Sequence, residues 1–374
     1  MGNDQRYKKI KEDTLSGRYI HHDHLVPSLK KLRSLIKLEE VGTSVNGLPI
    51  EKITVGQGPI KVLMWSQMHG NETTTTKAVF DLINALSYGY ENADKLLERL
   101  QLVIIPMLNP DGALAYMRVN ANGVDLNRDA MDRSQPESKV LRAVFDSFSP
   151  DFCFNLHDQR TIFSAGSAPK PATLSFLSPA ADPLRTVTAN RLKGINLIAA
   201  INEELQKFIP GQIGRYDDSF NANCVGDTFQ TLGTPTILFE AGHFQGDYER
   251  EITRKYVFMS LWKALEAVAF DPLDSNREKD YAVIPENKKC YFDILVYNAH
   301  LLNSKLEVGM AVGILFKEQL LKGNIILQPF IEKTGVLDEH FGHLTYDCTN
   351  PKDMIRLKNN EPIANLINSS LRNK

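Results

Sequence analysis

From residue 60 onward, short and fully apolar runs alternate with longer stretches whose apolar residues recur at helical spacing. Ile60–Trp65 is followed by Thr76–Leu86, and Phe152–Leu156 is preceded by Val140–Phe148. Strands that are apolar along their whole length are covered on both faces, and the helices between them supply the cover. The alternation predicts an α/β domain. The other runs predict strands at Leu102–Leu108 and Thr236–Phe239 and helices at Leu184–Ile209 and Arg250–Phe270.

The segment before this pattern predicts a helix followed by a β-hairpin. Leu25, Leu29, Leu32 and Leu35–Ile36 have helical spacing. Asn46-Gly47 is a strong signal for the tight turn of a hairpin, which we expect over residues 41–55.

Composition changes after Phe270. Residues 271–280 are polar and predict a linker. We therefore expect an α/β domain over residues 1–270 and a small β-rich domain over residues 281–374. The strands predicted in the second domain are Tyr291–Tyr297, Met310–Phe316, Asn324–Phe330 and His343–Asp347.

The overall composition excludes several classes of protein. The chain has 374 residues, with 43 Lys and Arg against 45 Asp and Glu, and this balance argues against a nucleic-acid-binding protein. No apolar run approaches the roughly 18 residues that a membrane-spanning helix needs. Residues 1–6 have no apolar segment of an export signal, so we expect a cytoplasmic protein. The four cysteines are far apart and are expected to be free thiols: Cys153, Cys224, Cys290 and Cys348.

Polar residues follow the predicted strands at the points where those strands end. His69-Gly70-Asn71-Glu72 comes after Ile60–Trp65 and its short continuation, His157 follows the run at 152–156, and Glu240 follows the run at 236–239. In open α/β sheets, ligands bind outside the carboxyl ends of the strands. We therefore expect these side chains to converge.

Three of these residues are good zinc ligands. Two histidines and a glutamate, His69, Glu72 and His157, leave a fourth position for water, which is the arrangement of a catalytic zinc site. The spacing of His69 and Glu72 is by itself a weak signal for a metal site. His157 alone is also a weak signal, since a lone histidine after a strand is usually a hydrogen-bonded core residue. A second histidine group, at 21, 22 and 24, has no further cluster at a suitable spacing and is expected to lie at the surface.

Water at such a site needs a base, and Glu240 is the candidate. The alternative is that this carboxylate forms a buried ion pair or caps the next helix. Residues 118–129 predict a loop with two arginines, Arg118 and Arg128. Arginine binds a carboxylate through two parallel hydrogen bonds, and the adjacent Asn127 can add others. The alternative for this segment is a solvated loop with surface ion pairs.

Together these segments resemble the zinc carboxypeptidases of the carboxypeptidase A type, also called funnelins. The resemblance covers about residues 40–265 and implies a mixed, about eight-stranded sheet with helices on both faces. Its motifs, in chain order, are Val41-Gly42-Thr43-Ser44 to Gly47-Leu48-Pro49-Ile50, His69-Gly70-Asn71-Glu72, Asn109-Pro110-Asp111-Gly112, Gly123 to Arg128, His157 and Glu240.

The resemblance implies roles for individual residues. It implies one zinc ion held by His69, Glu72 and His157, with Glu240 as the general base. Asp125 resembles the carboxylate that orients His69. Further residues that it assigns are Arg118 to polarisation of the scissile carbonyl, Asn127 and Arg128 to the terminal carboxylate of the substrate, Tyr216 to a tyrosine on a mobile loop, and the neighbourhood of Gly226-Asp227 to the floor of the specificity pocket.

The implied function is zinc-dependent hydrolysis of a C-terminal amide bond in a peptide or murein peptide. Zinc deacylases of the aspartoacylase and succinylglutamate desuccinylase type share similar strings and a C-terminal β-domain, so an N-acyl amino acid with a free carboxylate is the alternative substrate. A third hypothesis is a catalytically silent binding protein of the same fold.

Overall fold

The computed structural model describes residues 3–32, 36–271, 273 and 276–369. Its strands are β1 Lys37–Thr43, β2 Pro49–Val55, β3 Ile60–Ser66, β4 Leu100–Ile105, β5 Phe152–Asp158, β6 Phe163–Ala165, β7 Leu174–Leu177, β8 Ile213–Arg215, β9 Thr236–Ala241, β10 Asn287–Lys289, β11 Tyr291–Tyr297, β12 Ala311–Leu321, β13 Asn324–Gly335 and β14 Phe341–Asp347. Its α-helices are α1 Asn3–Ile10, α2 His22–Leu32, α3 Thr74–Ser87, α4 Ala93–Arg99, α5 Pro110–Ala115, α6 Pro136–Phe148, α7 Ala189–Leu205, α8 Val225–Thr231, α9 Glu251–Phe270, α10 Glu278–Ala282, α11 Pro351–Asn359 and α12 Glu361–Ser369.

The chain forms two compact units. The larger one contains Met1–Gln159 and Ala172–Asn287, and the smaller one contains Arg160–Pro171 and Lys288–Lys374. The chain therefore enters the smaller unit briefly after β5, returns to the larger unit, and leaves it again after Asn287.

The larger unit is built on an eight-stranded mixed sheet with the order β1-β2-β4-β3-β5-β9-β7-β8. Its four central strands, β4, β3, β5 and β9, run parallel to one another. Antiparallel pairs flank them: β1 with β2 and β2 with β4 on one side, and β9 with β7 on the other. The expected mixed eight-stranded sheet is confirmed.

Alternate residues of the central strands enter two different cores. In β3, Val62 and Met64 pack in the larger apolar cluster, which includes residues of α3, α7 and α9. Leu63 and Trp65 pack in a second cluster together with α6 and α8 residues such as Phe145. Because successive side chains of a strand point to opposite faces, the sheet is covered by helices on both sides, as its apolar runs predict.

The N-terminal predictions are largely confirmed. β1 and β2 form an antiparallel hairpin whose turn contains Gly47, with a φ of 80° that favours glycine. Leu25, Leu29 and Leu32 are buried in α2. Leu35, the next residue in that pattern, lies outside the described residues.

The long helix predicted at 184–209 is shorter than expected. α7 begins after Thr188, whose side chain accepts a hydrogen bond from the Arg191 amide at 3.2 Å and so caps the helix. Leu184, at the predicted start, is 88% exposed. The apolar pattern was extended too far because it included a surface leucine that precedes the cap.

The smaller unit contains a four-stranded sheet with the order β13-β12-β11-β14, and β6 pairs with β10. The apolar side chains of α11 and α12, including Leu357 and Ile363, pack in one core with those of β11 and β12. The expected β-rich C-terminal sheet is confirmed.

The division between the units falls at Asn287 rather than within residues 271–280. Tyr281 and Ile284 are buried in the core of the larger unit, so α10 and the residues after it belong to that unit. Residues 160–171, which were expected in the first domain, belong to the smaller unit. Positions 272, 274 and 275 of the predicted linker lie outside the described residues.

Two sequence-based expectations concern the chain as a whole. Over the described ranges, none of the helices combines the length and the apolar character that crossing a membrane requires. The four cysteines are free thiols, and Cys153 and Cys348 are buried.

Candidate active site

The carboxyl ends of three adjacent parallel strands bring the predicted site residues together. The segment from His69 to Glu72 follows β3, while His157 and Glu240 are the penultimate residues of β5 and β9. His157 lies directly opposite Glu240 in the pairing of β5 with β9. The convergence predicted from strand ends is therefore observed.

His69, Glu72 and His157 place three ligand atoms around one point. Glu72 Oε1 lies 2.8 Å from His69 Nδ1, and Glu72 Oε2 lies 2.8 Å from His157 Nδ1. The two Nδ1 atoms are 3.1 Å apart. All three residues are buried, and within the described part of the chain this is the one group of such side chains that could hold a metal ion.

The chemistry of this group fits zinc. Two imidazole nitrogens and one carboxylate are ligands that zinc takes in catalytic sites, with a position left for water. Burial acts to raise the pKa of Glu72, but the adjacent His69 and His157 hold it well below its ordinary value. The carboxylate is therefore ionised, as a ligand must be.

Asp125 fixes the orientation of His69. Its Oδ1 atom lies 3.0 Å from His69 Nε2 and also accepts a hydrogen bond from the Asn127 amide at 2.9 Å. With the Nε2 hydrogen directed to Asp125, the lone pair of Nδ1 faces Glu72 and His157. The role that the resemblance implies for Asp125 agrees with this geometry.

Arg118 lies beside the three ligands and is half exposed. Its Nε donates to Asp125 Oδ2 at 3.0 Å, and its Nη1 donates to Glu72 Oε1 at 3.2 Å. These two contacts hold a positive charge at the mouth of the site. The alternative of a solvated loop with only surface ion pairs does not describe Arg118, because both of its partners belong to the site.

Asn127 and Arg128 form a short 3₁₀ turn, Leu126–Arg128, anchored by the buried Leu126. Asn127 Oδ1 accepts a hydrogen bond from the Val225 amide at 3.1 Å, which ties the turn to the start of α8. Arg128 is exposed and donates to the Asn127 carbonyl at 2.8 Å. Across the described residues it forms no ion pair with a carboxylate, so its guanidinium is available to an anionic ligand.

Glu240 forms no ion pair within the described ranges of the chain, although the charge of Arg118 acts on it from a distance. Its Oε2 atom is enclosed and has no hydrogen-bond partner in the described structure. Burial raises the pKa of Glu240 well above its usual value, and the negative charges of Glu72 and Asp158 act in the same direction. The structural alternative, a buried ion pair or a helix cap, has no support in these contacts.

Tyr216 directly follows β8, and its hydroxyl donates to Gln159 Oε1 at 2.7 Å. Burial raises the pKa of the phenol, and the nearby Glu240 carboxylate adds to the effect. The tyrosine named on the resemblance thus lies near Glu240.

The sequence reasoning did not single out Gln159. It lies two residues beyond His157 and so on the same side of the extended chain, and this periodicity was the one available signal. Its partners Ser175 and Asn287 carry no motif that would have revealed them.

Gly226 and Asp227, predicted near the pocket floor, lie in the first turn of α8 and are buried. Burial raises the pKa of Asp227 to about 6, and the charge of Arg128 opposes this shift. Asp227 and Arg128, both predicted to lie where the substrate binds, are therefore close enough to interact electrostatically.

The histidines near the N-terminus do not form a metal site in the described structure. His22 Nε2 contacts Glu51 Oε2 at 3.2 Å, and the rings of His21 and His24 are 3.9 Å apart. These contacts agree with the expected surface position, since all three side chains are partly exposed.

Comparison with known proteins agrees with this geometry. Residues 27–163, which include all three ligands, match the family model for zinc carboxypeptidases. This region is similar to the zinc carboxypeptidase family. Carboxypeptidase 2 of Trichophyton rubrum is 29% identical over 188 residues, which are 49% of this chain and 33% of that protein. The match therefore spans about a third of the length of the Trichophyton rubrum protein.

Solved structures of carboxypeptidases share the fold. A putative carboxypeptidase A from Shewanella denitrificans superposes with a TM-score of 0.56 at 17% identity, covering 66% of this chain and 68% of the other. A metallo-carboxypeptidase from Pseudomonas aeruginosa in complex with (2-guanidinoethylmercapto)succinic acid has a TM-score of 0.53 at 19% identity, covering 67% and 69%. At these identities the likeness establishes the carboxypeptidase fold.

Proposed function

We propose that this chain is a zinc-dependent carboxypeptidase that hydrolyses the last amide bond of a peptide with a free C-terminal carboxylate. The observation that carries the proposal is the buried cluster of His69, Glu72 and His157 near a carboxylate, Glu240, whose Oε2 atom has no hydrogen-bond partner among the described residues. The match of residues 27–163 to the family model for zinc carboxypeptidases supports it.

One zinc ion would be held by His69, Glu72 and His157. When bound, zinc polarises a carbonyl and makes water more acidic. Glu240 removes a proton from the attacking water and delivers it to the departing amine. Burial and the charges of Glu72 and Asp158 raise the pKa of Glu240, which makes its carboxylate a stronger proton acceptor than an exposed glutamate.

Two arginines act on different groups of the substrate, the carbonyl of the last amide bond and the terminal carboxylate. Arg118, held by Asp125 and Glu72, stabilises the negative charge that develops on the carbonyl oxygen. Arg128 binds the terminal carboxylate, and Asn127 adds a hydrogen bond from its side-chain amide. Fixing the carboxylate places the last amide bond at the ligands.

A panel of substrates tests the proposal. We expect the purified protein to hydrolyse dipeptides, longer peptides or γ-glutamyl-diaminopimelate peptides, to lose activity with a chelator, and to regain it with zinc. The Glu240→Gln variant serves as the inactive control. Turnover of N-acyl amino acids alone would replace the proposal with a deacylase, and binding without any turnover would indicate a silent member of the fold.

The compound bound in one of the solved carboxypeptidase structures gives a second test. (2-Guanidinoethylmercapto)succinic acid carries two carboxyl groups and a guanidine, and the Pseudomonas aeruginosa protein was solved with it. We expect it to compete with peptide substrate and to lose affinity in an Arg128→Gln variant. Equal affinity of the compound for the unmodified protein and for Arg128→Gln would contradict the role of Arg128.

A further inference from the structure

The loop that carries His69 and Glu72 begins at Gln67, whose backbone has a conformation that is rare for a glutamine. Gln67 directly follows β3, and its φ of 50° lies in the left-handed region, which is unfavourable for a residue with a Cβ atom. Its side chain is completely buried although it is polar. Such a conformation persists only where the surrounding contacts hold it, and these positions cluster at functional sites.

The partners of the Gln67 side chain determine which end of its amide faces which group. Nε2 lies 2.8 Å from the Ile20 carbonyl oxygen and 2.9 Å from the Gly70 carbonyl oxygen, and both oxygens can only accept. Nε2 therefore donates one hydrogen to each of them. Oε1 accepts a hydrogen bond from the Thr76 hydroxyl at 2.9 Å. One buried side chain thus joins the loop, helix α3 and the segment before α2.

Gly70, which accepts one of these hydrogen bonds, lies between the two proposed ligands and is also confined by α5. A Cβ atom at Gly70 would lie 1.9 Å from the carbonyl carbon of Gly112 and 2.2 Å from the nitrogen of Ala113. The backbones of the loop and of α5 are therefore in direct contact, and no residue with a side chain fits at position 70 unless one of them moves.

The neighbouring carbonyls of the loop are held as well. Asn109, which caps α5, donates from its backbone amide to the Gln67 carbonyl and from Nδ2 to the Met68 carbonyl, both at 3.1 Å. The Glu72 amide donates to the His69 carbonyl at 3.1 Å. With the bond to Gly70, four successive carbonyls from residue 67 to residue 70 are hydrogen-bonded. The protein itself therefore sets the shape of the turn between the ligands.

Residues 17–20, which we call the N-terminal arm, are tied to the same region through their backbone. The Thr73 hydroxyl donates to the carbonyl of residue 18 at 2.9 Å, and Lys77 Nζ donates to the carbonyl of residue 17 at 2.8 Å. Gln67 adds the bond to residue 20, so it is the point at which the arm is joined to the loop of the ligands.

We propose that Gln67 is a positioning residue of the metal site, whose amide fixes the turn from His69 to Glu72 in the shape that presents both side chains to one ion. This inference rests on the proposed function, because it concerns the metal site that the function requires. It also makes the N-terminal arm a support of that site, since one amide nitrogen bonds to Ile20 and to Gly70.

The zinc affinity of Gln67→Met tests the proposal, because this change removes both donors at similar volume. Competition with a fluorescent chelator should show an affinity about 10-fold lower than that of the unmodified protein, as for other residues that orient metal ligands. Gln230→Met is the matched control. Gln230 is also buried, and its Oε1 accepts from the Thr236 amide at 3.0 Å at the start of β9, whereas Glu240 lies near the end of that strand. Gln230→Met should lower the melting temperature but keep the zinc affinity of the unmodified protein.

A second variant covers the case in which Gln67→Met does not fold. Gln67→Gly removes the same two donors, and glycine adopts a φ of 50° without strain. We expect it to fold and to bind zinc about 10-fold more weakly than the unmodified protein. Zinc affinities of the Gln67 variants equal to that of Gln230→Met would overturn the proposal.

Hydrogen exchange of the Glu72 backbone amide reports on the turn without metal or substrate. In the metal-free proteins we expect exchange to be faster in Gln67→Met than in the unmodified protein and in Gln230→Met, and unchanged exchange would overturn the proposal. If the zinc affinity falls as expected but the unmodified protein hydrolyses no peptide, the proposed activity is wrong and the positioning stands. Peptide hydrolysis together with an unchanged zinc affinity would remove the positioning alone. An unmodified protein that binds no zinc would contradict both.

Discussion

His69 Nε2 lies 3.0 Å from Oδ1 of Asp125, on the opposite edge of the ring from the nitrogen that faces Glu72. This contact selects the tautomer whose Nδ1 lone pair can bind a cation. It also couples the metal ligand to the loop that carries Arg118 and Asn127, since Asp125 contacts both.

We expect Asp125→Asn to bind zinc about 10- to 100-fold more weakly, because the partner of a ligating histidine sets its orientation and basicity. Competition with a chromophoric chelator measures the affinity. Asp132→Asn, an exposed change seven residues away, is the matched control. Zinc affinity equal to that of the control would show that Asp125 does not support His69.

Removal of a proposed ligand should abolish stoichiometric zinc binding. His157→Ala leaves two of the three ligand side chains, so we expect metal analysis to find far less than one zinc per chain. His300→Ala, in the smaller unit, should retain the zinc of the unmodified protein. Full zinc content in His157→Ala would remove it from the ligand set.

Arg128 should discriminate between a free carboxylate and its amide. For a free-acid peptide we expect Arg128→Gln to lower kcat/KM by on the order of 100-fold, since a charge-assisted pair of hydrogen bonds is lost. The C-terminally amidated peptide should be a poor substrate for both proteins. Arg133→Gln, another exposed arginine, should behave as the unmodified protein. Equal kcat/KM of the unmodified protein for the two peptides would contradict an exopeptidase.

Glu240→Gln should fold and keep its zinc while kcat falls by about 10²- to 10⁴-fold, the usual contribution of a general base. Near-normal turnover would contradict the mechanism. The variant should also change the pH dependence of stability of the metal-free protein.

The sign of that pH effect follows from the raised pKa of Glu240 in the folded protein. A carboxyl group whose pKa rises on folding lowers the free energy of unfolding as the pH increases from its unfolded value toward its folded value. As the pH rises above the ordinary pKa of a glutamate, the unmodified apo-protein should therefore lose more stability than Glu240→Gln. Urea unfolding at several pH values measures the difference, and parallel pH profiles would show that the carboxyl group is not desolvated.

A buried ion pair contributes to the stability of the larger unit. The Arg254 side chain is fully buried, and its Nη2 lies 2.5 Å from Asp81 Oδ1. We expect Arg254→Met to lower the free energy of unfolding by about 3–5 kcal/mol, because Asp81 is left as an uncompensated buried charge. Arg142→Met disrupts an exposed pair with Asp146 and should cost at most about 1 kcal/mol. Similar losses in both variants would contradict the importance of burial.

The strands and the candidate metal ligands could be predicted because each leaves a local signal in the sequence. β3, β5 and β9 are short apolar runs, and His157 and Glu240 come where those runs end. The hairpin turn at Asn46-Gly47 is similarly local. A few neighbouring residues are therefore enough to predict these strands, the residues at their ends and the hairpin turn.

The remaining features depend on distant parts of the chain. Asn287 bonds to Gln159 across 128 positions, and neither amide carries a charge or a motif that would suggest the pair. The boundary between the two units follows residue 287 because Tyr281 is buried in the core of the larger unit. The polar residues that surround Tyr281 in the sequence give no sign of that burial. Short elements such as β7, β8 and α8 are too brief to show a period. The cytoplasmic location stays a prediction.

Residues 160–171, the segment that belongs to the smaller unit, lie between two residues that a side-chain hydrogen bond joins. Gln159 precedes the segment, Ala172 follows it, and the hydrogen bond from Gln159 Nε2 to the Ala172 carbonyl joins the two residues at 2.7 Å. This hydrogen bond holds the two ends of the segment together, while Ile162 within the segment packs with Phe292 and Leu295 of the smaller unit. A change at Gln159 would therefore affect two places at once, because the amide that joins the ends of the segment also accepts a hydrogen bond from Tyr216.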